Sequence, residues 1–156
     1  MHVYSPAFRE GEQLPSRYTK NGENLSPPVA WEGLPENTRE LLLAFEQFGP
    51  ASGESFVHWF VYHIPPQIGG LSEGFKHKRD PDMPPEVLQG RNSLGNVGYD
   101  GPVGTIARNL HYRLRLFALD EVLPLDEGAE FEQAVRAIEG HVLAEGELNV
   151  DYQRKD

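Results

Sequence analysis

The stretch "FVHWFVYHI", Phe56 to Ile64, closed by Pro65-Pro66, constrains the fold more than any other part of the chain. It is aromatic and β-branched throughout, as strands are, and proline ends it because proline has no N–H to give a ladder. At period two, Phe56, His58, Phe60 and Tyr62 are expected on one face, and Val57, Trp59, Val61 and His63 on the other. Neither face is polar. Such a strand must be covered on both sides, which predicts a central strand between two layers.

Its neighbours can be read from the same patterning. "ELLLAF", Glu40 to Phe45, is a short, nearly continuous apolar run after the turn-like "GLPENT", again a strand buried on both faces. In "LHYRLRLFAL", Leu110 to Leu119, Leu110, Tyr112, Leu114, Leu116 and Ala118 line one face, while His111, Arg113 and Arg115 begin a second face that should be wet. Near the C-terminus Phe131, Val135, Ile138 and Val142 stand at helical spacing after the acidic Asp126-Glu127, and "ELNVDY" alternates as a last strand. The 16 glycines and 13 prolines are spread along the chain without repeats, which suits many short strands joined by turns. The length fits one domain, residues 1–156. The expected class is therefore mainly β with one late helix.

A formal charge of −10 repels phosphate backbones and anionic lipid surfaces, so nucleic acid is not an expected partner. No cysteine is present, which removes disulfides, thiolate nucleophiles and zinc–sulfur sites. "MHVYSPAFRE" lacks a basic-then-apolar signal pattern, and no apolar run approaches the roughly 20 residues that span a bilayer. A soluble cytoplasmic protein without stable membrane insertion is the expectation.

Catalytic signatures are missing. None of Ser26, Ser52, Ser55, Ser72 and Ser93 sits in a G-x-S-x-G elbow, and there is no H-E-x-x-H. His58 and His63, five apart on a strand, point to opposite faces and cannot share a metal. "GNVGYDGPVG" is Gly-rich but lacks the Lys-Ser/Thr ending of a phosphate-binding P-loop. The basic run Lys76 to Arg79 reads as solvated surface. No enzyme activity, metal or cofactor is expected. His58, mid-strand among aromatics, reads either as a hydrogen-bonded core residue or as a ligand group. The stretch 65–109 is long, dense in Gly and Pro, and of the kind that straps across a site.

Several segments, taken in order, resemble the phosphatidylethanolamine-binding proteins, specifically their bacterial and archaeal Raf kinase inhibitor-like branch. They are "LPSRYTKNGENLSPPVAWEGLPENT", "FVHWFVYHIP", "LSEG", "GRNSLGNVGYDGP", "YRLRLFALD" and "GHVLAEGEL". The resemblance covers nearly the whole chain. It implies an antiparallel Greek-key β-sandwich with a second small sheet and a C-terminal helix. It also implies a small anion pocket for phosphate or phospholipid-headgroup-like ligands, built from a D-P-D-x-P turn, the histidine of an H-W strand and a later G-x-H-R-Y-like segment. Some relatives instead inhibit a kinase or a serine protease, so a protein partner is the alternative expectation.

Carried over residue by residue, the pattern is only partly kept. His58-Trp59 matches the H-W strand, and Phe56 takes the place of an aromatic wall residue. The first aspartate of D-P-D-x-P falls on Gln47, or on Glu46 with one gap, and the segment Glu46 to Pro50 does not restore the motif. The second histidine falls on Leu110, with His111 turned to the opposite face and Tyr112 following. Gly101 and Pro102, ending "GYDGP", complete the candidate wall. A lost imidazole donor costs about 1.5–3 kcal/mol, on the order of ten- to a hundredfold in affinity. The expectation is a less polar pocket preferring a less charged ligand or none. "DPDMP", Asp80 to Pro84, spells the missing motif in the wrong place, after the strand of His58 rather than before it, and reads as a solvated loop.

Overall fold

The computed structural model describes residues 1–49, 56–75 and 83–155. In chain order the elements are β1 (His2–Tyr4), a 3₁₀ turn (Ser16–Tyr18), β2 (Val29–Glu32), β3 (Glu40–Phe48), β4 (Phe56–Ile64), β5 (Gly70–Leu71), β6 (Leu88–Gln89), β7 (Leu110–Leu119), α1 (Phe131–Ile138) and β8 (Val142–Tyr152). Two sheets form, both antiparallel: a small one ordered β1-β2-β5 and a larger one ordered β6-β4-β3-β7-β8. The three apolar runs read from the sequence thus become the middle of the large sheet.

Both faces of that sheet are covered. Leu41, Leu43, Phe45, Trp59, Val61, Tyr112, Leu114 and Leu116 pack with Val3, Val29, Trp31 and Leu71 of the small sheet. On the opposite face Leu42, Ala44, Phe60, Tyr62, Phe117 and Leu119 pack with Ala134, Phe131 and Ile138 of α1. This is the mainly β sandwich with a second small sheet and a helix near the C-terminus.

Three sequence readings need correction. The helix stops at Ile138, with Gly140 at φ +80°, and Val142 opens β8 instead of extending the helical stripe. The second face of β7 is wet only at its start: His111 is exposed, Arg113 and Arg115 are half-buried, and Phe117 and Leu119 are core. Strict alternation also fails along β4. Trp59 pairs with Phe45, but Val57 pairs with Glu46, so His58 is an extra residue in a β-bulge. Beyond it, Trp59 and Val61 share the inter-sheet face with His58, while Phe60 and Tyr62 turn to the helix side. A second irregularity, between Leu41 and Leu43, accompanies the positive φ of His63. His58 and His63 do lie on opposite faces.

Candidate functional site

The bulge presses His58 in beside an aromatic wall. Its ring lies 4.7 Å from that of Phe56, 5.6 Å from Tyr112 and 5.8 Å from Phe45, centroid to centroid. The residue is only 7% exposed. Above it runs the strap Tyr99 to Pro102, attached at several points. The Asp100 N–H donates to the His58 carbonyl at 3.1 Å, and His58 Nδ1 lies 2.8 Å from the Asp100 carbonyl oxygen. Gly101 N–H donates to Asn24 Oδ1 at 2.8 Å, Lys20 N–H donates to the Pro102 carbonyl at 2.9 Å, and the Tyr99 hydroxyl donates to the Tyr18 carbonyl. A side chain cannot be added at Gly101, where a Cβ would stand 2.5 Å from the Tyr18 carbonyl oxygen. The strap therefore seats this closely only with glycine there.

The Asp100 carboxylate is itself held. Asn92 and Asn96 donate side-chain N–H groups to Oδ2 at 2.7 and 2.9 Å, and Lys20 Nζ lies 3.7 Å from Oδ1. Backbone and side chain of one residue thus connect the imidazole to a ring of polar groups at the rim.

A carbonyl oxygen only accepts, so Nδ1 of His58 must carry the hydrogen. In the neutral ring that leaves Nε2 with its lone pair. Nε2 is buried and has no hydrogen-bond partner among the described residues. Burial pushes the imidazole down to about 4, with the Lys20 ammonium acting in the same direction and the hydrogen bond to Asp100 opposing both. Because the unfolded ring takes up its proton near the usual 6.5, the unfolded state binds more protons between these values. The stability contributed by keeping His58 neutral is therefore complete above about pH 6.5 and is lost as pH falls towards 4, in total on the order of 3 kcal/mol. Two-dimensional NMR of the His58 ring should give a midpoint near 4; a midpoint at 6.5 would show that the ring is solvated.

The sequence-derived wall residues divide in two. Phe56 and Tyr112 touch His58, and Gln47 pairs with Phe56 on one side and Tyr112 on the other, which places it at the same end of the sheet. Gly101 and Pro102 are buried in the strap, and Leu110 packs on the inter-sheet core on the face of Tyr112. Glu46 does not join them. Its register partner is Arg113, and its buried carboxylate meets Arg113 Nε at 3.1 Å and Arg115 Nε at 3.0 Å. The Arg115 Nε–H is not aimed at this oxygen, so that contact is an ion pair and not a hydrogen bond. Each guanidinium also covers a ring, Phe48 and Phe117, at 4.9 Å. Glu46 is thus a buried counter-ion on the sheet face away from His58. Pro50 and Asp80 to Asp82 lie outside the described residues, whereas Met83, beside them, packs partly buried against the core.

Sequence reasoning missed Lys20, Asn92, Asn96 and Asp100. Asp100 stood within the "GYDGP" stretch already singled out, but its contribution comes mainly through a backbone carbonyl, which no residue type announces.

The model of the phosphatidylethanolamine-binding protein family matches residues 4–153 of this chain. A UPF0098 protein of Methanothermobacter thermautotrophicus is 39% identical over 157 residues, covering 99% of both chains. A UPF0098 protein of Aquifex aeolicus is 35% identical over 99% of this chain and 89% of its own length. Among solved structures, a putative phosphatidylethanolamine-binding protein homolog from Chlamydia trachomatis superposes with a TM-score of 0.85 at 30% identity, over 99% of this chain and 97% of that one. Escherichia coli YbcL, described as a member of the mammalian family, superposes with a TM-score of 0.89 at 25% identity, over 99% and 98%. The chain belongs to the phosphatidylethanolamine-binding protein family. Among its described residues no helix is long and apolar enough to cross a membrane.

Proposed function

We propose that this protein is a non-catalytic binder of a small phosphate-like or headgroup-like ligand, held beside His58 in a pocket less polar than the family pattern. The observation that carries the reading is Nε2 of His58: a buried polar atom without a partner among the described residues, surrounded by aromatic rings. Buried polar atoms are nearly always satisfied, so an exception calls for a partner, and a bound ligand supplies one. The polar groups expected from the family pattern are reduced here. Leu110 replaces an imidazole, Glu46 is spent on two arginines, and Gln47 is uncharged.

The test is a titration with phosphoethanolamine, followed through the His58 ring signals, in this protein and in a family member that keeps the D-P-D-x-P turn and both histidines. The ring signals should move, calorimetry on His58→Phe should show binding lost, and the affinity of the wild type should be ten- to a hundredfold below that of the relative. Equal affinity would refute the altered pocket. Ring signals that stay put at saturating ligand would refute binding at His58.

A further inference from the structure

The hydrogen bond between His58 and the strap fixes more than the position of the ring. Nδ1 lies 2.8 Å from the Asp100 carbonyl oxygen, which has no hydrogen to give, so the tautomer is set. The same residue returns a bond through its N–H to the His58 carbonyl at 3.1 Å, so ring and strap hold each other from two directions. The nitrogen left over, Nε2, is buried and can only accept. A fully deprotonated oxyanion also offers only acceptors, and two acceptors face to face repel. A second proton on the ring is opposed first by its burial, and also by the nearby Lys20 ammonium, against the weaker favouring effects of the Asp100 hydrogen bond and carboxylate. That same ammonium, offset in part by the Asp100 carboxylate 3.7 Å away, favours negative charge in a ligand that reaches it. The rim asks for an anion, and the depth of the site asks for a hydrogen.

One kind of group satisfies both. Resting on the reading of His58 as the binding site, we propose that the site takes an oxyanion that keeps a proton, its O–H donating to His58 Nε2 and its negative charge turned towards Lys20. Monobasic phosphate and singly ionised phosphate monoesters have this chemistry. Sulfate and phosphodiesters do not, because neither carries a proton at neutral pH. The site is therefore a discriminator of protonation state: it accepts free phosphate or a released headgroup monoester and rejects the diester of an intact phospholipid.

Four probes separate these classes and sources: inorganic phosphate, phosphoethanolamine, sulfate and dimethyl phosphate, the last standing for the intact lipid diester. Binding is read by calorimetry and by ¹⁵N signals of the His58 ring at pH 6 and pH 8. Phosphate and phosphoethanolamine should bind at pH 6, with phosphoethanolamine tighter if a headgroup is the source. The monoester has a second pKa of about 6, so its affinity should fall about fifty-fold by pH 8 as the singly ionised form disappears. Sulfate and dimethyl phosphate should bind at least tenfold more weakly. In the complex Nε2 should keep the signature of an unprotonated, hydrogen-bond-accepting nitrogen. Lys20→Met, a change at a partly exposed side chain, should weaken phosphate at least severalfold, while the free ring at pH 8 keeps its hydrogen on Nδ1 against the Asp100 carbonyl. Sulfate binding as tightly as phosphate, with Nε2 becoming protonated, would overturn this proposal and leave His58 as an ordinary anion site. If none of the four probes moves the ring, the binding reading falls together with the proposal.

Discussion

Glu40→Ala should cost about 3–5 kcal/mol of stability in urea unfolding, among the largest losses available to a single substitution here. Glu40 is 3% exposed at the start of β3, and its two carboxylate oxygens lie 2.9 and 3.1 Å from Nδ1 of His63. Nε2 of His63 lies 2.8 Å from the Leu125 carbonyl. Both ring nitrogens thus face acceptors, and both are served only if both carry hydrogens. This geometry favours the imidazolium, and the pKa of His63 is raised above 6.5, first by the hydrogen bond to Glu40, against the opposing effect of burial. Removing Glu40 takes away the main cause of the raised pKa, so the ring either stays charged beside one carbonyl or gives up its proton, at a residue already strained by a φ of +56°. The sign of the pH dependence follows. A raised folded pKa contributes stability that is fully present below about pH 6.5 and lost as pH rises through the folded value. His58 acts in the opposite sense, losing its contribution as pH falls. Wild-type stability should therefore fall on both sides of a maximum, and Glu40→Gln should flatten the alkaline side only. A loss below about 1 kcal/mol for Glu40→Ala would show that the pair is solvated. Replacing Glu40 by leucine and His63 by asparagine, which tolerates a positive φ, should recover part of the loss, since no charge is left to satisfy.

The parts of this fold that can be read from the residues are those that hydrophobic burial decides alone. Leu41 to Phe45, Phe56 to Ile64 and Leu110 to Leu119 must be covered on one or both faces, and that need is written in their side chains. Strands β1, β5 and β6 have two or three residues each, too few to display any period, and they exist because the large sheet offers them edges and a face. The bulge at His58 is equally silent, since an inserted residue in an all-apolar run breaks no visible pattern. It nevertheless decides which side chains share a face beyond His58. Glu46 shows the limit of counting positions against a motif. The count placed it in the pocket wall, but pairing with Arg113 turned it to the other face, where two cations satisfy it. His58 itself was legible as a choice between core and ligand group. The structure shows it buried, with one nitrogen committed to the strap and the other free of any partner among the described residues.

The second large effect joins core and site. Trp59→Ala should lose about 3–5 kcal/mol and, in the same variant, release His58. Trp59 is completely buried next to the bulge. Its indole N–H donates to Gln89 Oε1 at 2.8 Å on the edge strand β6, and its ring stands edge-on to Tyr99 at 5.6 Å. Tyr99 is the residue before Asp100, and its hydroxyl is anchored on the Tyr18 carbonyl. Removing the indole takes away the surface on which this end of the strap rests, and the carbonyl that fixes Nδ1 of His58 moves with it. The expected signature is twofold: a lower unfolding midpoint, and a His58 titration that shifts from about 4 towards 6.5 as water reaches the ring. Stability alone would not establish the link, because any large cavity lowers it. Leu116→Ala supplies the comparison. Leu116 lies in the same inter-sheet core, is fully buried, and stands opposite Leu43 and Gly146 in the sheet. It should cost about 2–5 kcal/mol and leave His58 titrating near 4. If Trp59→Ala and Leu116→Ala leave His58 equally unmoved, the strap is held by its hydrogen bonds alone and the indole serves only the core. If only the tryptophan variant moves it, the H-W pair is a single device, in which the second residue builds the seat and the first presents the nitrogen.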